Sequence, residues 1–303
     1  MNLTQFDAVA LAQFIHTCNQ TNQKCGYVGS TPEDIAHDLS GGLLDTSFVV
    51  YEGENIIASV TLDMYEVSED GQMDIEVWGP FVNPRHEDRL SELLNYVKTT
   101  TEQENIRHIH FFVSGNHEPL ISCLGRFDNK KVRDHYFYTI PMSQVVISST
   151  SAEEFTMIKL TNPEDAYVKP LIELHYDYFK TPIFTNEDIV EEIGRAEESE
   201  YDLEAIVRES QFIGYLITRR NELTGIINLE YVCIAPEERS KGIGNGIIQY
   251  LVNKYKGTSY TILELVVDGE NAGAISFYEK NGFHLNSLMK HIVIDAAALK
   301  VAN

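Results

Sequence analysis

Apolar positions change period along this 303-residue chain, and the changes mark where strands give way to helices. In the second half, "IINLEYVCIAP" (226–236) alternates apolar and polar side chains as a half-buried strand does, then runs into a charged, glycine-rich turn. Ile243, Ile247, Ile248 and Leu251 recur at helical spacing after that turn. "TILELVV" (261–267) predicts a second strand, "DGENAGAISFYEKNGF" (268–283) a turn and helix, and "MKHIVID" (289–295) a last strand.

The first half holds a fainter copy. "MDIEVWGPFVNP" (73–84) precedes a predicted helix over 86–104, "HIHFFV" (108–113) matches the second strand, "SGNHEPLISCLGRF" (114–127) the next segment, and "HYFYTI" (135–140) the last strand. Pro84 and Ile121-Ser122 recur as Pro236 and Ile275-Ser276 at nearly the same separation. Two similar domains in tandem account for this most simply. Each opens with helical patterns, "QFDAVALAQFIHTCNQ" and "TPEDIAHDL" in one, "PEDAYVKPLIELHYDYF" and "TNEDIVEEI" in the other. Thr31 and Thr185 are the expected N-caps, with acids in the first turn. Short strands follow, so each domain reads as two helices, three meandering strands, helix, strand, helix, strand. "PMSQVVISSTSAEEF" (141–155) has the composition of a linker, which places the boundary near Ser149 and the domains at 1–148 and 149–303.

Composition is that of an ordinary globular protein, with 43% hydrophobic residues and no low-complexity tract. Charge is more telling. Against 46 acidic side chains stand 23 basic ones, and the net charge of −23 disfavours nucleic acid and anionic membranes as partners. Cys18, Cys25, Cys123 and Cys233 show no metal or redox spacing, the N-terminal stretch has no leader pattern, and no apolar run approaches bilayer length, so a reduced, cytoplasmic protein is expected.

Within so anionic a chain, "PEERSKGIGNGI" (236–247) gathers Arg239 and Lys241 with Gly242, Gly244 and Gly246. It is not a Walker loop, because no Lys-Ser or Lys-Thr closes it, and not a dinucleotide fingerprint, because Ile247 stands where the third glycine would. What remains is a strand, a turn and a helix start, where unpaired amides and the helix dipole favour a phosphate. Glycine lets the backbone approach that anion, and the two cations add charge.

Two motifs together carry a resemblance. Arg239-Ser240-Lys241-Gly242-Ile243-Gly244 matches Q/R-x-x-G-x-G/A, and Asn271, Ala274, Phe277, Tyr278, Lys280, Gly282 and Phe283 match N-x-x-A-x-x-F-Y-x-K-x-G-F. In that order and spacing, roughly residues 155–295 resemble the GNAT acyltransferase superfamily. The resemblance implies an α/β fold of two tandem GNAT-like domains, each a mixed, mostly antiparallel sheet flanked by helices. It also implies acetyl-CoA as co-substrate, an N-acyltransferase transferring the acyl group directly to a small-molecule or peptide amine, and no metal. The pyrophosphate would sit at the glycine turn, on Arg239, Lys241, Gly242, Ile243 and Gly244. Val232 and Ile234 would pair with the pantetheine arm, and Asn271, Ala274 and Tyr278 would complete the site.

Asn271 is a favourable N-cap and Asn281-Gly282 a helix stop, so a helix over 272–280 puts Ala274 and Tyr278 on one face and Phe277 toward a core. Tyr278 is the expected acid for the departing thiolate, and backbone N–H groups of the 232–234 strand the expected oxyanion donors. For the base, Glu230 is favoured over Glu264, although the usual family positions align with Asn228 and Val266, neither a carboxylate. A non-catalytic acyl-CoA-binding or sensing module is the alternative.

The first domain departs from the pattern. Glu87 to Glu92 replace the glycine turn, His117 and Leu124 stand for Asn271 and Tyr278, and Trp78 stands for Glu230. Acyl-CoA is not expected there. His108, His110 and His117 are read as ordinary histidines, and Cys233, opposite Val232 and Ile234, as a buried small hydrophobe.

Overall fold

In the computed structural model, residues 8–67, 71–127, 130–145, 155–179 and 184–299 are described. The expected boundary at 148–149 lies outside them. The chain forms two compact units, each drawing on separate segments: 1–136 with 268–270 and 287–303, and 137–267 with 271–286.

The first unit begins with α1 (Ala8–Asn19) and α2 (Pro32–Asp38), followed by β1 (Ser47–Glu52), β2 (Asn55–Glu66) and β3 (Met73–Val82). α3 (Leu90–Gln103), β4 (Ile106–Ser114), α4 (Glu118–Leu124) and β5 (Lys130–Pro141) come next. Thr31 starts α2 by a reciprocal cap: its hydroxyl accepts from Asp34 N–H at 3.1 Å, and the Asp34 carboxylate accepts from Thr31 N–H at 3.2 Å. Such caps are worth about 1 kcal/mol each. The helix predicted from His86 instead opens as a 3-10 turn over Pro84–Arg89, because Asn83 caps Arg85 N–H and His86 is non-helical, and α3 begins only at Leu90.

The second unit holds β6 (Thr156–Lys159), α5 (Val168–Tyr178), α6 (Asn186–Gly194), β7 (Tyr201–Arg208), β8 (Gln211–Asn221) and β9 (Ile226–Ile234). α7 (Ile243–Lys254), β10 (Ile262–Asp268) and α8 (Ala272–Lys280) follow, and β11 (His284–Asp295) and α9 (Ala296–Leu299) end the described chain. Thr185 and Asp188 repeat the reciprocal cap at α6.

Strand pairing within each unit is mixed and mostly antiparallel. β1, β2 and β3 form an antiparallel meander, β4 joins β3 in parallel, and β11 joins β4 antiparallel, with Met289 opposite Ser114 and Asp295 opposite His108. In the second unit, β6 to β9 are antiparallel and β10 joins β9 in parallel. β5 starts among residues of the first unit and ends in the second, and β11 does the reverse.

Alternation then decides what each face buries. In the first unit, Leu93, Val97, Leu120 and Leu124 of α3 and α4 pack on Ile75, Val77, Ile109 and Phe111. Leu11, Ile15 and Ile35 of α1 and α2 pack with Trp78 and Phe81, so Trp78 is a core residue. In the second unit, Leu171, Ile189 and Ile193 cover Leu203, Ala205, Tyr215, Ile217 and Cys233.

Candidate functional site

β9 and β10 pair only from Ile226–Ile262 to Leu229–Leu265. Beyond Leu229 the two strands keep no register, and just there β9 carries an extra residue: Ile217 of β8 faces Tyr231 while Thr218 faces Leu229, leaving Glu230 as a bulge. On its other edge Val232 pairs with Leu216 and Ile234 with Gly214. The edge of residues 230–234 that would have met β10 is thereby opened, and a cleft of about 850 Å³ occupies the second unit there.

The tip of α7 forms one wall. Gly242 caps the helix at φ +82°, left-handed backbone that disfavours any side chain, and Ser240 sits at φ +62°. The first intrahelical bond runs from Gly246 N–H to Gly242 C=O at 3.1 Å. The amides of Ile243, Gly244 and Asn245 consequently have no acceptor within the helix. A Cβ on Gly244 would stand 2.8 Å from Phe277 Cζ, so only glycine allows α7 and α8 to approach this closely.

Arg239 is held at the mouth. Its Nε donates to Ile234 C=O at 2.9 Å, and its guanidinium lies over the Tyr178 ring at 4.4 Å. Glu238 also lines the cleft, but its carboxylate is paired with Arg208 and, at 3.1 Å, with Lys241. The acid is thereby neutralised in a place where an anion would otherwise be repelled.

α8 forms the opposite wall. Asn271 Oδ1 caps it by accepting from Ala274 N–H at 3.1 Å, and Gly282 at φ +85° stops it. Tyr278 packs edge-on against Phe277 and Phe283 at 5.1 and 5.3 Å. No described residue hydrogen-bonds its hydroxyl, and burial pushes the phenol up to about 12.

Of the expected residues, Val232, Ile234, Arg239, Gly242, Ile243, Gly244, Asn271, Ala274 and Tyr278 line this cleft together. Lys241 does not, because its ammonium is taken by Glu238. Glu230 does not either: the bulge turns it to Arg219, 3.3 Å away, and its carboxyl is raised by burial against the opposing pull of that guanidinium. Phe277, expected to face a core, lines the cleft against Gly244. Tyr178, Phe179 and Glu238 are further lining residues. No motif marks Tyr178 or Phe179; for Glu238, its three-residue spacing to Lys241 is a readable ion-pair signal. Cys233 is buried and its thiol pushed up to about 11, which suits packing and not nucleophilic attack. In the first unit, the turn over Pro84–Arg89 carries Glu87 and Asp88 where α7 has glycines.

Residues 168–283 match the acetyltransferase (GNAT) family. None of the curated proteins is detectably similar in sequence. Solved structures share the fold: a GCN5-related N-acetyltransferase from Sphaerobacter thermophilus superposes with TM-score 0.67 at 16% identity, covering 96% of this chain and 93% of that one. A tandem GNAT protein from the clavulanic acid biosynthesis pathway gives 0.65 at 12%, covering 98% and 97%. A GNAT-family acetyltransferase from Colwellia psychrerythraea gives 0.54 at 13%, covering 84% and 88%. No helix of the described residues is long and apolar enough to cross a membrane. Residues 168–283 thus match the acetyltransferase (GNAT) family, and the chain as a whole shares its fold with a tandem GNAT protein.

Proposed function

We propose that the second unit is an acyl-CoA-dependent N-acyltransferase that moves an acetyl group directly from acetyl-CoA to an amine. One observation carries this reading: free helix-tip amides with Arg239, an opened β9 edge and the Tyr278 hydroxyl all meet in one cleft. The pyrophosphate is assigned to the amides of Ile243, Gly244 and Asn245 and to Arg239. The pantetheine arm adds to the Val232–Ile234 edge as a strand would, and its thioester comes to lie among backbone N–H groups.

The chemistry balances without a covalent enzyme intermediate. The neutral amine attacks the thioester carbonyl, the carbon–sulfur bond breaks, Tyr278 gives its proton to the leaving thiolate, and the new ammonium loses one to a base. Glu230 is the proposed base, acting through water, since its carboxylate is tied to Arg219 outside the cleft lining. A raised pKa strengthens it as a base. The acceptor is a small-molecule or peptide amine, and the site of action is proposed to be cytoplasmic.

The placement of Glu230 also favours a second reading, an acyl-CoA-binding module without turnover, because among the described residues the one carboxylate lining the cleft is the neutralised Glu238. A thiol-release assay with acetyl-CoA and a panel of amines decides between them. Acceptor-dependent thiol release supports transfer. Tight acetyl-CoA binding with no release on any acceptor supports the module, and an absence of binding refutes both.

A further inference from the structure

His108 and His110 lack a carboxylate at ligand spacing along the chain, but the neighbouring strand provides one. β3 and β4 run parallel with Asp74 opposite His108 and Glu76 opposite His110. These side chains share one face of the first unit's sheet, while Ile75 and Ile109 between them enter the core. Asp74 is buried, with its carboxylate 3.5 Å from His108 Nδ1 through Oδ1 and 3.2 Å from His110 Nε2 through Oδ2.

One ligand atom from each of Asp74, His108 and His110 lies within 4.8 Å of the others. Ligands held at about 2.0–2.1 Å around a tetrahedral ion stand roughly 3.3 Å apart. Each ring nitrogen is already near that length from the carboxylate, His108 from Oδ1 and His110 from Oδ2, and the His108 ring, a third exposed, has room to move so that both reach one ion.

We propose that Asp74, His108 and His110 bind one divalent first-row metal ion of the zinc type, with a remaining coordination position open to water beside His108. Two imidazoles and a carboxylate are a donor set that suits such ions and leaves a position free.

The surroundings are those of a supported site. His110 Nδ1, the nitrogen turned away from Asp74, lies 3.2 Å from His291 Nε2. When Nε2 coordinates, Nδ1–H donates to that partner and fixes the ring. Asp74 is held through both oxygens by Arg107, whose Nε and Nη2 donate to Oδ1 and Oδ2 at 3.2 and 2.9 Å, and by His108 N–H, which donates to Oδ1 at 3.1 Å. The guanidinium compensates Asp74 when no ion is bound and repels a dication when one is. Glu76 and Asp63, paired across β3 and β2 on the same face, offset that repulsion.

The test uses the full chain, untagged and stripped with chelator, titrated with Zn(II) by calorimetry and with Co(II) by visible absorption. One equivalent is expected to bind, with the spectrum of four- or five-coordinate Co(II) and a higher melting temperature. His108→Ala and His110→Gln are expected to lower affinity at least tenfold, and His284→Ala, an exposed histidine elsewhere, to leave it unchanged. Binding that neither variant weakens, or no binding at micromolar metal, overturns the proposal. Should His110→Gln fail to fold, X-ray absorption of the zinc-loaded wild type still decides: a shell of nitrogen and oxygen with two imidazoles supports the site, and sulfur from any of the four cysteines overturns it.

Discussion

Removing a single oxygen from Tyr278 separates chemistry from binding. In Tyr278→Phe the ring keeps its edge-on contacts with Phe277 and Phe283, and because no described residue bonds the hydroxyl, no protein group is left orphaned. Stability should change by no more than about 0.5 kcal/mol. The lost proton donor is the whole perturbation. Positioned general acids contribute about 10²- to 10⁴-fold, or roughly 2.7–5.4 kcal/mol of barrier, and kcat should fall by that factor while KM for acetyl-CoA stays nearly constant.

Burial sets the sign of the pH behaviour. With its pKa pushed up to about 12, the phenol keeps its proton through the alkaline range, so any wild-type decline between neutral pH and that value belongs to another group. The same shift weakens Tyr278 as an acid toward a thiol of reference pKa about 8.5. Transfer remains feasible because the cleft that desolvates the phenol also desolvates the thiolate and raises its proton affinity. Thiol release measured with and without acceptor, across pH, reads kcat, KM and the alkaline limb together. An unchanged kcat in Tyr278→Phe, or a wild-type alkaline limb near neutrality that the variant abolishes, refutes this assignment.

Gly244→Ala should weaken acetyl-CoA binding and cost about 1–3 kcal/mol of stability, because its Cβ would press Phe277 into the cleft from 2.8 Å; calorimetry and urea melts check both. Arg239→Ala should weaken acetyl-CoA binding roughly tenfold or more, read by the same calorimetry, with little change in melting temperature. Glu230 must be ionised to act as base, so the wild-type rate should fall as pH drops through a pKa above the usual 4.5; Glu230→Gln should lose that limb, and an unaltered pH profile removes Glu230 from the mechanism. Asp202 is buried among Lys159, Arg220 and Lys254, and although burial alone would raise its carboxyl, Arg220 and Lys254 hold it well below the usual range. Its contribution is present above the unfolded pKa of about 3.9 and lost as pH falls through the depressed folded value. Asp202→Asn should cost about 3–5 kcal/mol at neutral pH in urea melts and flatten the acid limb of stability.

What the sequence makes legible here is what acts over a few residues. Thr31 and Thr185 meet Asp34 and Asp188 three positions on, so both caps can be read directly; the same holds for Asn271 with Ala274 and for the Gly242 turn. Misreadings arise where a second element enters. Lys241 and Arg239 look equivalent along the chain, yet Arg208 on β7 brings Glu238 to the turn and Lys241 pairs with it, while Arg239 is held by a carbonyl and Tyr178 of α5. Alternation puts Glu230 on the face of Val232, but the bulge opposite Ile217 and Thr218 breaks that period and hands the carboxylate to Arg219. Asp74 meets His108 only through the parallel register of two strands. That β11 pairs with β4 is equally invisible, since "MKHIVID" alternates the same way beside any neighbour. The anion site follows from the same division. With Lys241 spent on Glu238, the attraction in a molecule of net charge −23 comes mainly from backbone amides and one guanidinium. Those amides are dictated locally by Gly242 and Gly244, which is why the site can be read from six residues even though the field around it opposes the ligand.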